Sequence, residues 1–265
     1  MLKIRKSGNH IAIPMKGAST MDFSRIDELT HKLEAMRPLN ETELKRLRDE
    51  FMIENTYHSN AIEGSTLTLR ETAMILQDGI TIAEKPIKEH LEAIGHRDAF
   101  EYVMSLADAK TALTERVIKD IHSLVLMHDA ANKGTYRGIG VTIMGAVHMP
   151  PQPYLVPVQM EQLLADYEEM KRNMHIIEAI AEFHLRFEGI HPFIDGNGRT
   201  GRLILNLELI KSGLLPVNIK FADRRRYYDS FDRYYGDEHT PDALVKLIAD
   251  YEAEELERHI KIIAG

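Results

Sequence analysis

Apolar side chains recur along most of this chain at intervals of three and four, the spacing of helices that bury one face. From Asn40 to about Ile62 that face is carried by Leu44, Leu47, Phe51 and Asn55. Asn40, with Glu43 three residues on, has the composition of a reciprocal N-terminal cap. Gly64 interrupts. Thr68 with Glu71 opens a second capped helix through Met74, Ile75 and Leu76, and Pro86 starts a third carrying Ile87, Leu91, Ile94, Ala99 and Val103. Further helices are expected near Thr114 (Val117, Ile118, Ile121, Leu124, Val125), over 158–172, 175–188 and 197–212, and from Thr240-Pro241 toward Ile262.

Two stretches break the pattern. The first 18 residues, punctuated by Gly8, Pro14 and Gly17, read as an arm or small hairpin. Between Asn132 and Pro157, four glycines and then Pro150, Pro151, Pro153 and Pro157 surround the short β-rich run Val141-Thr142-Ile143-Met144, which reads as a hairpin or flap between helices. The expectation is a mainly α protein with one small β-hairpin insertion.

Composition narrows the chemistry. With 265 residues, 44% hydrophobic and 28% charged, the chain is globular and large enough to bury a core in one or two domains. Thirty-three basic against 41 acidic residues leave a net charge of −8, which counts against a general affinity for nucleic acid. The absence of cysteine removes disulfides, thiolate nucleophiles, Cys-ligated zinc and iron–sulfur clusters. The basic N-terminus is followed by no apolar run of a signal peptide, and no 18-residue apolar stretch suggests a membrane span, so a cytoplasmic location is expected.

The segment 184–202, HLRFEGIHPFIDGNGRTGR, concentrates reactive residue types. Gly196 and Gly198 remove side chains where a helix begins. The first amides of that helix lack intrahelical partners and its dipole favours an anion, which is the setting of a phosphate cradle. Arg199 and Arg202, three apart, share a helix face and offer two guanidinium forks. Asp195 beside phosphates calls for an intervening cation and suggests Mg²⁺. Asn197 can donate to a phosphate oxygen, and His191 can take a proton from an incoming hydroxyl.

His191-Pro192-Phe193-Ile194-Asp195-Gly196-Asn197-Gly198-Arg199-Thr200-Gly201-Arg202 matches without departure the Fic motif, His-x-Phe-x-Asp/Glu-Gly-Asn-Gly-Arg-x-x-Arg. The chain thus resembles the Fic family over about 89–251. The resemblance implies a Fic-type helical bundle and an enzyme that moves AMP from ATP to a protein Ser, Thr or Tyr hydroxyl with Mg²⁺. It implies His191 as the general base, Phe193 as the anchor of the loop and Asp195 as the metal ligand. Gly196, Asn197 and Gly198 become the anion nest, with Thr200 and Gly201 in the same nucleotide-binding run. Arg199 becomes the clamp on the γ-phosphate and Arg202 a β-phosphate contact.

The same resemblance gives meaning to Ser59-Asn60-Ala61-Ile62-Glu63-Gly64, which matches the family's inhibitory pattern Ser/Thr-x-x-x-Glu-Gly/Asn placed upstream of the core. It implies that Glu63 pairs with Arg199 and displaces the γ-phosphate, with Ser59 on the same helical face. Thr142, Ile143 and Met144 resemble the flap strand that pairs with an extended target segment. Tyr227 and Tyr228 resemble a contact to adenine or ribose. Asp223, Asp229, Asp232 and Asp237 around Arg224-Arg225-Arg226 argue against a nucleic-acid surface there. His90, His96, His122, His128, His148 and His184 show no compact metal-ligand spacing and read as structural or surface residues.

The resulting expectation is an N-terminal arm and inhibitory helical segment over 1–85, and a catalytic core with C-terminal helices over 86–265. Family habit adds a homodimer. Removal of AMP, transfer of another phosphate-containing group, and a non-catalytic nucleotide-binding module that offers its flap to a partner remain as alternatives.

Overall fold

The computed structural model describes residues 21–236 and 238–264, so the arm expected over the first 18 residues lies outside the described residues. The described chain is mainly helical. In order the helices are α1 (Ser24–Glu34), α2 (Glu41–Ile62), α3 (Leu69–Ala73), α4 (Ile87–Asp108), α5 (Glu115–Val125), α6 (Val156–Asn173), α7 (Ile176–Ile190), α8 (Asn197–Lys211), α9 (Arg224–Tyr235) and α10 (Asp242–Ala264). α3 runs on into a π-helical turn, Met74–Asp78, closed by Gly79 at φ 67°. No helix among the described residues is long and apolar enough to cross a membrane.

Local chemistry starts these helices. Asn40 and Glu43 form the reciprocal capping box of α2, and Thr68 with Glu71 form that of α3. The Thr114 hydroxyl accepts from the Val117 amide at the start of α5. Leu47, Phe51 and Asn55 of the expected α2 face are buried, but Leu44 is not: one turn from the helix start it lies beyond the edge of the core and is 52% exposed.

α8 is the axis of the bundle. It packs against α4, α7, α5 and α2, and apart from Gly198 every residue from Asn197 to Leu209 is buried. A helix enclosed on all sides has no solvent face, so its polar residues Asn197, Arg199, Arg202, Asn206 and Glu208 need partners inside the protein. α2 supplies several. Its second half buries Asn55, Thr56, Ser59 and Asn60 rather than an aliphatic stripe. That polar face brings α2 to the site.

Two expectations are corrected. The run Val141–Gly145 is not a strand, and no strand occurs among the described residues. Only a turn bond, Ala146 N to Ile143 O at 3.2 Å, marks the tip of this segment. A β-prone run becomes a strand when another backbone satisfies its amides and carbonyls, and solvent serves them here. Tyr227, expected from the resemblance to contact adenine or ribose together with Tyr228, lies on α9, whose Tyr227, Ser230 and Tyr234 fill the core beside α7.

Candidate active site

The loop between α7 and α8 carries His191 to Gly196. α7 ends at His191, which adopts the left-handed conformation (φ 50°, ψ 60°). This is an uncommon conformation for a residue with a Cβ, and it persists only where the surroundings over-determine it. The surroundings do so. Phe193 is fully buried and stacked on His122, with ring centroids 3.6 Å apart. The Asn197 side chain accepts from Phe193 N at 2.9 Å and donates to Phe193 O at 3.0 Å. The Gly134 amide donates to His122 Nδ1, which leaves Nε2–H to donate to Asp195 O at 2.9 Å. Burial drives the His122 pKa down to about 4 and keeps the ring neutral for that role. Gly196, at φ 77°, then turns the chain into α8, a conformation that costs glycine little.

His191 itself is half-buried, and its Nδ1 is sealed from solvent, which leaves Nε2 for a substrate. Burial lowers its pKa, with Arg137 and His148 adding to the effect and the Glu188 carbonyl and Glu63 opposing it. A neutral imidazole is the form that accepts a proton. Asp195 is 47% exposed. Burial works against its ionisation, yet Arg199, the Gly196 amide and Lys88 hold its carboxyl below the ordinary value. Ligand atoms of Asp195, Glu92 and His128 all lie within 4.8 Å of one another. One carboxylate from α4, one from the loop and an imidazole from beyond α5 suit a divalent cation.

The arginines divide the work differently from the expected pairing. Glu63 does not meet Arg199. Glu63 Oε1 accepts from Arg202 Nη2 at 2.7 Å. Arg202 also donates to Ser59 through Nε–Oγ (3.0 Å) and Nη2–O (2.9 Å), so Ser59 braces the arginine rather than the glutamate. Arg199, 2% exposed, turns instead toward Glu92 Oε1 (2.9 Å) and Asp195 Oδ1 (3.2 Å). The reason is geometric. Three residues along a helix is about 300°, so the two guanidinium groups diverge by about 60°. The end of α2 brings Ser59 and Glu63 to Arg202, while α4 and the loop bring Glu92 and Asp195 to Arg199, which also reaches Asn60 of α2 at 3.4 Å. Glu63 also covers the start of α8: a Cβ on Gly198 would collide with its Oε1. The carboxylate therefore lies where the first amides of α8 favour an anion. Gly64, at φ 97°, ends α2 just after it.

Other expected contacts are corrected by burial. Asn197, 2% exposed, is turned into the loop, where its side chain brackets the Phe193 backbone rather than facing the start of α8 as a phosphate donor. Thr200 is fully buried, and Gly201 faces α7, where a side chain would press on Glu188 and His184. Tyr227 is 1% exposed. Its hydroxyl meets His184 Nε2 at 2.8 Å and Arg202 Nη1 at 3.4 Å, and its ring lies 5.6 Å from the Arg202 guanidinium. It supports Arg202 from beneath and cannot also stack on a base. Tyr228 is 45% exposed and donates to Ile62 O at 3.2 Å, tying α9 to the end of α2 beside Glu63. Of the expected flap residues, Met144 is fully exposed, Ile143 half-buried and Thr142 exposed.

Several participants carry no local sequence signal. Glu92, Lys88, His122 and Arg137 are far from 184–202 in sequence and converge on it in space. Glu188 was within the segment, yet nothing in its spacing shows that its Oε1 would be buried, unpartnered and pushed up to a pKa of about 8, by desolvation first and by Glu63 second.

The profile of the Fic/DOC family matches residues 112–209. A protein adenylyltransferase Fic from Nematostella vectensis is 38% identical over 213 residues, which cover 78% of this chain and 48% of that protein. The chain spans less than half the length of the curated relatives it matches. Among solved structures, a Fic-domain signaling protein from Bacteroides thetaiotaomicron superposes with a TM-score of 0.83 at 28% identity, covering 91% of this chain and 97% of that one. A glutamate-to-glycine variant of Fic-1 from C. elegans superposes at 0.78 with 30% identity, covering 90% and 71%.

Proposed function

The chain belongs to the Fic family, and on that premise we propose that it transfers AMP from ATP to a hydroxyl of a protein and is held back by Glu63. The observation that carries the reading is the loop 191–198. It sets a neutral imidazole, on a strained and over-determined backbone, beside a helix start that favours anions. In the reaction, His191 Nε2 takes the proton of the target hydroxyl. The freed oxygen attacks the α-phosphorus of ATP, the bond to the bridging oxygen breaks, and pyrophosphate leaves. Little covalent chemistry is asked of the protein beyond positioning and charge neutralisation.

Arg202 and the amides of α8 from Gly198 onward are the groups for the phosphates, and both are covered by Glu63. The brake follows directly. A carboxylate in the cradle competes with phosphate, and Arg202 is buried while Glu63 is about one-third exposed, so losing the pair without a replacement anion would leave a buried guanidinium charge uncompensated. Asp195, with Glu92 and His128 in reach, is the place for Mg²⁺. When bound, that ion offsets the negative charge of the phosphates. Tyr228 keeps an open face for the base, and 141–145 is assigned to a target segment that would complete it as a strand. Residues 1–85 are assigned to regulation and 86–265 to catalysis.

One observation favours a second reading, removal of AMP. Glu63 sets a carboxylate, an acceptor for a water proton, over the position of the phosphates. The test uses wild type, Glu63→Gly and Glu63→Gly/His191→Ala with Mg²⁺ and ATP labelled at the α-phosphate. Label on protein is expected with Glu63→Gly, far above wild type, and lost in the double variant. Equal labelling of wild type and Glu63→Gly would sink the brake. Labelling that survives the loss of His191 would sink the base. Release of AMP from a labelled target by wild type, but not by Glu63→Gly, would favour the second reading.

A further inference from the structure

Arg137 is an arginine 3% exposed, and none of its hydrogen-bond acceptors is a carboxylate. A buried guanidinium is costly unless its donors are satisfied. Here four main-chain carbonyls satisfy it. Nε donates to His191 O at 2.8 Å, Nη1 to Ile139 O at 2.9 Å, and Nη2 to Pro151 O at 2.6 Å and Ile190 O at 3.4 Å. Its own amide donates to Pro192 O at 2.9 Å. These acceptors come from three places: both ends of the 139–151 segment, and the end of α7 with the first residues of the catalytic loop. Two of the bonds land on His191 and Pro192, at the strained turn. The planar fork suits this use, since its donors point in fixed and different directions.

We propose that Arg137 is a positioning residue that couples the flap to the catalytic base. By clamping both ends of 139–151 onto the main chain of 190–192, it makes the placement of a docked target and the placement of His191 one structural variable. The proposal rests on the AMP-transfer reading for its functional consequence, and on the hydrogen bonds alone for the coupling. The positive charge has a second effect. His191 is faced by the titratable or charged groups of Glu63 from the end of α2, His148 from the flap segment and Arg137, and by the Glu188 carbonyl of α7, and Arg137 favours the neutral ring.

The two contributions separate in Arg137→Lys and Arg137→Gln, each made in full-length Glu63→Gly protein. Lysine keeps the charge but, as a single point of donors, does not span three segments. Glutamine loses both. For both variants, kcat for AMP transfer is expected to fall by about 10- to 100-fold, the loss typical of a misplaced reacting group. The Kd for ATP should stay near the parent value. Hydrogen exchange should speed up at 138–149 and at 190–193 together. The His191 ring, assigned in a ¹³C-histidine spectrum by its loss in His191→Ala, should titrate upward in Arg137→Gln and stay near the parent in Arg137→Lys.

Loosening of the flap alone, or a lower melting temperature with kcat of the folded protein unchanged, would overturn the coupling and leave Arg137 a purely structural residue. A parent that transfers nothing to any target would overturn the AMP-transfer reading instead. In that case the paired exchange and the His191 titration still decide whether the coupling exists.

Discussion

Two connections in this protein share a vocabulary of glycine, proline and short apolar runs, and they end in opposite states. The loop 191–196 places Phe193 in the core, bonds its backbone to Asn197 and His122, and holds His191 at φ 50°. The segment 138–152 leaves Ile139, Met144, Val147 and Met149 between 60% and 100% exposed and forms no strand. The difference lies in what surrounds each. The loop is closed over by α5, α7 and α8, whose own buried polar groups supply partners. The flap is anchored at both ends by Arg137 and near its far end by His148, which stacks on Tyr235, while its tip meets solvent. Precision is built where chemistry would occur, and adaptability is left where a partner would dock.

The largest expected effect tests the precise side. In a Glu63→Gly background, His191→Ala should lower AMP transfer by about 10²- to 10⁴-fold, the usual contribution of a positioned base. ATP binding, measured by calorimetry, should change little because the cradle amides are intact. A similar loss from a flap-tip substitution would erase the contrast between the two connections.

The second effect is on stability. Phe193→Ala should cost about 3–5 kcal/mol, the usual range for deleting a buried phenyl group, read as a lower urea midpoint. Its ring holds His122, and His122 holds Asp195, so the loss should also raise hydrogen exchange over 191–196. A cost under about 1 kcal/mol would mean that the loop is held by Asn197 alone.

What could be read from the chain follows the same division. Helix starts were legible because capping is local: Asn40 with Glu43, Thr68 with Glu71, and Thr114 each bond within three residues. The motif 191–202 was legible as a site because its residues are contiguous. Which arginine meets Glu63 was not, since that depends on how α2 crosses α8, and the two guanidinium groups differ only by a rotation about the helix. Asn197 has the donors of a phosphate ligand, yet the loop needs both ends of its amide. Tyr227 reads as an exposed aromatic until α9 is packed on α7. Arg137 offers no pattern at all, because its partners are carbonyls, which every residue carries.

A smaller effect concerns pH. Glu188 is held protonated in the fold, with a pKa raised to about 8 by burial first and Glu63 second, against an ordinary value of 4.5. Between those values the folded chain keeps a proton that the unfolded chain has released. Its contribution is therefore present below about pH 4.5 and is lost as pH rises through 8. His184, pushed down to about 3 by burial, acts in the other direction, losing stability as pH falls below its ordinary 6.5. The window from 6.5 to 8 isolates the acid. Glu188→Gln should flatten the fall in urea midpoint across that window, leaving a residual slope from Glu252, which is also raised to about 8. An unchanged slope would show that Glu188 is ionised in the fold, with Arg202 as its counter-charge.

The smallest effect tests the open connection. Met144 is completely exposed, so Met144→Ser removes no buried surface, and the stability change should stay within about 0.5 kcal/mol. The same substitution takes an apolar, adaptable side chain from the place where a target would lie. A KM for the protein target raised a few-fold, with ATP affinity and kcat held, is the expected split, because the flap would contribute binding and not chemistry. The contrast with Phe193 is then direct: two apolar residues on two connections, one setting stability and the other affinity. A loss of 2 kcal/mol or more, a size reserved for buried packing, would break that contrast. It would mean that Met144 packs within the folded protein in solution and that the flap tip is an element of the core.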